Sequence, residues 1–246
     1  MRHQTNQVRR TLRSYLGYRI LWEARLASKS GKATSYGLRG LDQKLISRID
    51  TSPNYYVEIG ANDGRTHSNT LVLELYYGWT GLLIEPMEST FKKLKRNRSK
   101  RRNVLLRAAC VSEFYPHPTL GLVWGNLSST AVGIDTDIPD PVAHAGAPRK
   151  DALPDEPLRI EDVPVMTMTR ALENAGAPTE IGLLSLDVEG AELEVLQGID
   201  FDKYRFDWML IESRDVKRVA SFLENYDYFA VEKLTHHDYL FSRVSG

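Results

Sequence analysis

Two hydrophobic periods alternate along this chain. From Thr11 to Ala27 the apolar residues Leu12, Tyr15, Leu16, Ile20, Trp22 and Leu26 return at roughly helical spacing among arginines, which predicts an amphipathic helix. Gly31, Gly37 and Gly40 interrupt that pattern, and a short helix is predicted at about Leu41 to Ile49. Beyond Pro53, short apolar runs of strand character alternate with helix-like ones, the pattern of a parallel sheet with crossover helices. Strands are predicted at Tyr55–Ile59, Gly81–Glu85, Val104–Val111, Ile181–Asp187, Trp208–Glu212, Tyr228–Lys233 and Tyr239–Arg243. Helices are predicted at about Ser68–Tyr77, Ser89–Arg98, Thr167–Ala175, Ala191–Gln197 and Val216–Asn225. Only Leu234 to Asp238 separates the last two strands, so these should pair as an antiparallel hairpin.

This reading describes a doubly wound α/β fold with an N-terminal helical extension over 1–50 and one large domain over 51–246. The stretch from Glu113 to Pro164 breaks the alternation. It holds most of the prolines, several glycines and the acids Asp135, Asp137, Asp140, Asp151, Asp155, Glu156, Glu161 and Asp162. It is too long for a simple connection and reads as an insertion, at about 113–164, that covers or shapes a substrate site; a disordered acidic loop is the alternative.

Composition narrows the class. With 42% apolar and 26% charged residues in 246, the chain has the material for a full core and none of the bias of a disordered segment. The 32 basic and 32 acidic residues cancel, which argues against nucleic acid as a partner of the whole molecule. The first fifty residues are nonetheless basic, with Glu23, Asp42 and Asp50 as their only acids, so contact with an anionic membrane surface through this segment is kept as an alternative to packing on the domain or on a second copy. Cys110, the single cysteine, lies in an apolar run and reads as a small core residue. No apolar stretch approaches a membrane span, and the N-terminus lacks the pattern of a secretory signal, which sets a cytoplasmic location as the expectation, with association at the inner membrane face left open.

Three segments carry candidate chemistry. In Tyr55-Tyr56-Val57-Glu58-Ile59-Gly60-Ala61-Asn62-Asp63-Gly64 a buried strand runs directly into a glycine turn followed by a helix, the place where an open α/β sheet binds a nucleotide-like ligand. Gly60 and Gly64 would let the backbone approach that ligand. The third glycine of the dinucleotide fingerprint is missing, which argues against a pyrophosphate. In Gly81-Leu82-Leu83-Ile84-Glu85-Pro86 a second strand ends in an acid about twenty residues further on, where Glu85 can accept hydrogen bonds from both ribose hydroxyls of an adenosine. In Leu183-Leu184-Ser185-Leu186-Asp187-Val188-Glu189-Gly190-Ala191-Glu192 a third strand delivers the carboxylates Asp187 and Glu189 to the same edge, while Glu192 suits the first turn of a helix on dipole grounds alone.

As a set, "VEIGANDGRTHSNT", "GWTGLLIEP", Asn97-Arg98, "AACV" and "LLSLDVEGAELEVLQG" resemble the FkbM-type methyltransferases, a branch of the class I S-adenosylmethionine-dependent enzymes, and "YGLRGLDQKL" is similar to what precedes the first strand there. The resemblance covers about residues 36 to 245, loosest in the insertion. It implies a mostly parallel seven-stranded sheet with an antiparallel final strand and S-adenosylmethionine as cofactor. It also implies that Glu58, Gly60, Asn62 and Asp63 surround the methionine portion, Glu85 the ribose, and Ala109 with Ser112 the adenine, with Asp187 in both the cofactor and the catalytic set. Finally, it implies a hydroxyl acceptor on a glycan, a glycolipid precursor or a secondary metabolite.

Methyl transfer is an in-line displacement, for which positioning is the main requirement. A neutral hydroxyl is a poor nucleophile, and a general base typically adds about 10²–10⁴-fold. Glu189 is the first candidate. His236 and His237, whose ring type titrates near pH 6.5 (about) when unperturbed, are alternatives in the loop between the last two strands, and His67 is placed to touch substrate. Asp187 and Glu212 end neighbouring strands and could hold Mg²⁺ through hard oxygen ligands, although the metal is not expected. Methylation of an amine and a non-catalytic cofactor-binding scaffold are the rival functions, and self-association stays open. The basic cluster Lys92, Lys93, Lys95, Arg96, Arg98, Lys100, Arg101 and Arg102 reads as a solvated helix face rather than a nucleic-acid patch, since Phe91 is its only aromatic neighbour.

Overall fold

The computed structural model describes residues 34–52, 54–124, 129–145 and 159–243. The helix predicted at Thr11–Ala27 lies outside the described residues, as do 125–128 and 146–158 of the insertion. In chain order the elements are α1 (Leu41–Ile46), β1 (Tyr55–Ile59), α2 (Leu71–Tyr76), β2 (Thr80–Ile84), α3 (Glu88–Asn97), β3 (Asn103–Leu106), β4 (Ala109–Val111), β5 (Thr119–Val123) and β6 (Thr130–Ala131). They continue with β7 (Ile160–Thr167), α4 (Met168–Ala175), β8 (Glu180–Leu186), α5 (Glu192–Leu196), β9 (Arg205–Glu212), α6 (Val216–Leu223), β10 (Tyr228–Lys233) and β11 (Asp238–Arg243).

Seven strands form one sheet in the order β10-β11-β9-β8-β1-β2-β3, and β11 alone runs antiparallel, paired with β9 on one side and with β10 on the other. Its central strands are apolar on both faces because helices cover both. Val57, Leu82, Leu184 and Met209 pack on one face with Met168, Leu172, Val195 and Val219. Tyr56, Leu83, Leu183 and Leu210 pack on the other with Leu41, Leu45, Val72 and Leu94. The strand order reverses between β1 and β8, where an open α/β sheet leaves a crevice at its carboxyl edge. Among the described residues no helix is long and apolar enough to cross a membrane.

The strand expected at Val104–Val111 is two strands in two sheets. β3 ends at Leu106, paired with Ile84, because β2 ends there and turns at Pro86. After Arg107 and Ala108 the chain finds a new neighbour in β7, with Ala109, Cys110 and Val111 in parallel register with Val165, Met166 and Thr167. The described parts of the insertion build this second sheet, of order β4-β7-β5-β6, whose apolar face of Leu120, Leu122, Ala131 and Val163 closes over Met87, Ala109 and Val111.

Candidate active site

Strand register puts the site in one row. Ile59 pairs with Ile84 and with Leu186, and Leu186 with Ile211. The next residue on each strand is therefore Glu85, Gly60, Asp187 and Glu212, side by side across four strands, and Asp238 of β11 pairs with Glu212. Neighbouring strands lie roughly 4.8 Å apart, so this edge concentrates carboxyl groups. The cleft above it is lined by Glu58, Ile59, Gly60, Ala61, Asn62, Thr66, His67, Ser68, Asn69, Glu85 and Pro86 on one side and by Ser185, Asp187, Val188, Glu189, Ala191 and Val195 on the other. Ala108, Ala109, Cys110, Leu120, Leu122, Ser129 and Ala131, from β4 and the second sheet, supply an apolar wall.

The turn after β1 is held from behind. Tyr56 and Glu58 share the face covered by α2 and α3, where the fully buried Arg98 donates to Glu74 at 2.6 Å, to Glu58 at 3.2 Å and to the Tyr56 hydroxyl at 2.5 Å. Glu58 also accepts from Ser68, from the backbone N–H of Asn69 and from Thr70, while Asn97 donates to the carbonyl of Asp63. A buried charge is tolerated only when paired and hydrogen-bonded in this way. Gly60 adopts φ +78, and a Cβ there would sit 1.8 Å from the carbonyl oxygen of Asp187; one at Gly64 would meet Leu94 and Arg98. The glycines are thus demanded by the protein's own packing, not by ligand approach alone. Glu85 accepts from the N–H groups of Asn62 and Met87, at 3.0 and 2.9 Å, and burial pushes its carboxyl up to about 7 against those hydrogen bonds.

The opposite side is assembled from three distant segments. Burial, with the charges of Glu212 and Glu189, raises the Asp187 carboxyl well above the usual carboxylate range, and Glu212 beside it is pushed up to about 7 by burial and by the charge of Asp238. Glu189, in the left-handed region at φ 53, carries a carboxylate 2.7 Å from the ring Nε2 of His144 and 3.7 Å from Arg214. His144 belongs to the insertion. So does Asp137, whose carboxylate accepts from the N–H groups of Arg214 and Asp215 while its own N–H donates to the carbonyl of Gly190. Asn62, His67 and Glu189, all lining the cleft, are three of the five non-glycine residues with positive φ among those described, so backbone strain gathers at this site.

The description "Methyltransferase FkbM domain" matches residues 58–240, well over half of the chain and the whole of the row just described. The chain belongs to this family. Among solved structures it is similar to an FkbM methyltransferase from Methylobacillus flagellatus KT, with 14% identity and a TM-score of 0.44, covering 77% of this chain and 43% of that one. It is similar also to precorrin-6y C5,15-methyltransferase from Geobacter metallireducens GS-15, with 12% identity, a TM-score of 0.41 and coverage of 81% and 84%. A third is TYW2 of M. jannaschii in complex with AdoMet, with 11% identity, a TM-score of 0.38 and coverage of 83% and 77%. The chain spans less than half the length of the first of these structures. No curated protein matches.

In this FkbM chain the cleft gathers Glu58, Gly60, Asn62, Glu85, Ala109, Asp187, Glu189 and His67. Asp63 is not among the lining: its carboxylate accepts from Arg65 and Thr66 and shapes the turn instead. Ser112 is tied by its N–H and hydroxyl to Glu194, away from the cleft. His236 stacks on His237, ring centroids 4.3 Å apart, outside the lining; burial and neighbouring positive charge lower His237. Glu192 is the structural acid its position suggested, accepting from Val188 and Gly190. For the metal alternative at Asp187 and Glu212, among the described residues no group of three or more His, Cys, Asp or Glu is arranged to hold a metal ion. The basic cluster loses Arg98 to the core, while Arg102 donates to the carbonyl of Glu74. His144, Asp137 and Arg214 carried no local signal; a histidine inside an acidic insertion was the one clue available.

Proposed function

We propose that this chain is an S-adenosylmethionine-dependent O-methyltransferase that modifies a hydroxyl of a glycan, a glycolipid precursor or a secondary metabolite. The observation that carries this reading is the juxtaposition, on one cleft, of a ribose-type acid at the end of β2 and a fixed carboxylate, Glu189, just beyond the end of β8. The residues present suit the cofactor: Glu85 is placed to accept from ribose hydroxyls, the apolar wall at Ala109, Cys110, Leu120 and Leu122 suits a flat base, and Gly60, Asn62 and Asp187 flank the position of a methionine tail. When bound, the cofactor supplies a methyl carbon activated by a sulfonium.

The chain's own work is to bring the acceptor oxygen into line and to take its proton. Glu189 faces the cleft and is suited to receive that proton. Asp187 lines the same cleft, its carboxyl raised well above the usual carboxylate range by burial and by the charges of Glu212 and Glu189. Methylation of an amine would need a base less urgently and would not explain the pair Asp187 and Glu189 as well.

Calorimetric titration with S-adenosylmethionine and S-adenosylhomocysteine should show micromolar binding, and label from methyl-tritiated cofactor should pass to hydroxyl members of a panel of glycosides, phenols and amines. Glu189→Gln should lower turnover about 10²–10⁴-fold with cofactor affinity unchanged. Absence of binding, or label found on amines alone, would overturn the assignment.

A further inference from the structure

Resting on the reading of Glu189 as the base, we propose that His144, carried by the insertion, is a positioning residue that aims the Glu189 carboxylate at the acceptor hydroxyl, so that the catalytic site is complete only when the segment 136–145 is docked.

Glu189 follows β8 in the left-handed region, at φ 53, a conformation that L side chains rarely adopt and that does not by itself settle where the side chain points. Both side chains that approach it meet the same oxygen: His144 Nε2 lies 2.7 Å and Arg214 Nη2 3.7 Å from Oε2. Only the first is at hydrogen-bond distance, so the imidazole is the group that orients the carboxylate and leaves Oε1 free for an acceptor hydroxyl. Glu189 is part of the cleft lining and His144 is not, its side chain being 23% exposed. His144 therefore stands behind the base, as the third group stands behind the base in nucleophilic triads.

The docking of the segment is built into both partners. Asp140 caps the helical residues 141–145, accepting from Ala143 through its side chain and from His144 through its carbonyl, which fixes the ring's origin. Ile138 and Ala145 are buried at 6% and 0% exposure. Asp137 ties the segment to Gly190 on one side and to Arg214 and Asp215 on the other. Gly190 has to be glycine for this contact: at φ +97, a Cβ would lie 2.7 Å from Asp137 and 2.9 Å from Ile138. The residue next to the base is thus shaped around the insertion.

The test compares His144→Ala, His144→Gln and Glu189→Gln in the full chain, using S-adenosylhomocysteine calorimetry and tritiated methyl transfer to the hydroxyl acceptor found with wild type. His144→Ala should lose about 10²-fold in kcat, with KM for the cofactor and Kd for S-adenosylhomocysteine within about twofold of wild type. His144→Gln, which keeps an N–H donor, should recover a large part of that loss, and added imidazole should rescue His144→Ala but not Glu189→Gln. Wild-type kcat in His144→Ala beside an inactive Glu189→Gln overturns the inference and leaves the base reading standing; wild-type kcat in Glu189→Gln overturns both. The tie is also read with no acceptor present. The wild-type proton spectrum should contain an exchange-protected imidazole N–H signal that disappears in His144→Gln and in Glu189→Ala, and its absence from wild type would overturn the inference whatever the acceptor.

Discussion

Two glutamates face the same cleft and are held by opposite means. Glu58 is gripped by a fully buried arginine and by donors from the turn that follows its own strand, all within the layer between the sheet and α2 and α3. Glu189 is reached by a partly exposed histidine and a partly exposed arginine brought from other parts of the chain. On the proposed reading, the cofactor side is therefore part of the core, and its geometry stands or falls with folding. The proposed acceptor side is fastened at the rim, where a contact can be lost without unfolding the protein. Substitutions should separate stability from turnover along this line.

Arg98→Ala should show the largest effect. It strands Glu58 and Glu74 in the interior, and breaking a buried pair by removing one partner costs about 3–5 kcal/mol, to be read from urea unfolding. A loss below about 1 kcal/mol would mean that the cofactor side is not core-fastened. Gly60→Ala comes next, at about 1–3 kcal/mol from backbone strain alone, with weakened S-adenosylhomocysteine binding, because a Cβ would push the ends of β1 and β8 apart.

The pH dependence sharpens the contrast further. Glu85 and Glu212 are pushed up to about 7 and Glu192 to about 8, in each case chiefly by burial. The native state then holds more protons than the unfolded chain from the ordinary carboxylate range up to these values, so stability contributed by the three acids is present at low pH and is lost as pH rises through about 7 to 8. Cofactor binding should run the other way. Glu85 must be ionised to accept from the ribose, so S-adenosylhomocysteine affinity should fall by up to about tenfold per pH unit below about 7 and level off above it. Unfolding and calorimetry at matched pH values would check both slopes, and parallel trends would break the assignment of Glu85. The smallest effect belongs to the rim pair Arg218 and Asp135: Arg218→Ala should cost under about 1 kcal/mol in urea unfolding.

Legibility followed the same division. The turn after β1, the acid after β2 and the carboxylates after β8 are each written in a stretch of about ten residues, so a strand running into glycine or acid was enough to find them. Arg98 looked like one more charge in a basic cluster, and only the face shared by Tyr56 and Glu58 turns it inward. The run Val104–Val111 is apolar except for Arg107, and a single charge did not distinguish one strand from two; the break there is set by where β2 stops offering a partner. His144 and Glu189 lie 45 residues apart, with the end of the insertion, α4 and β8 between them.

The sequence by itself determined the alternation of strand and helix, the carboxyl edge where ligands collect and the family, because periodicity and strand-turn motifs depend on contacts within a few residues. Tertiary structure alone decided that the row Glu85, Gly60, Asp187, Glu212 is continuous, that burial and neighbouring carboxylates raise Asp187, and that a histidine from the insertion stands behind Glu189. Those outcomes depend on strand register and on the docking of remote segments. Both are set by packing over the whole sheet, which no local pattern of residues encodes.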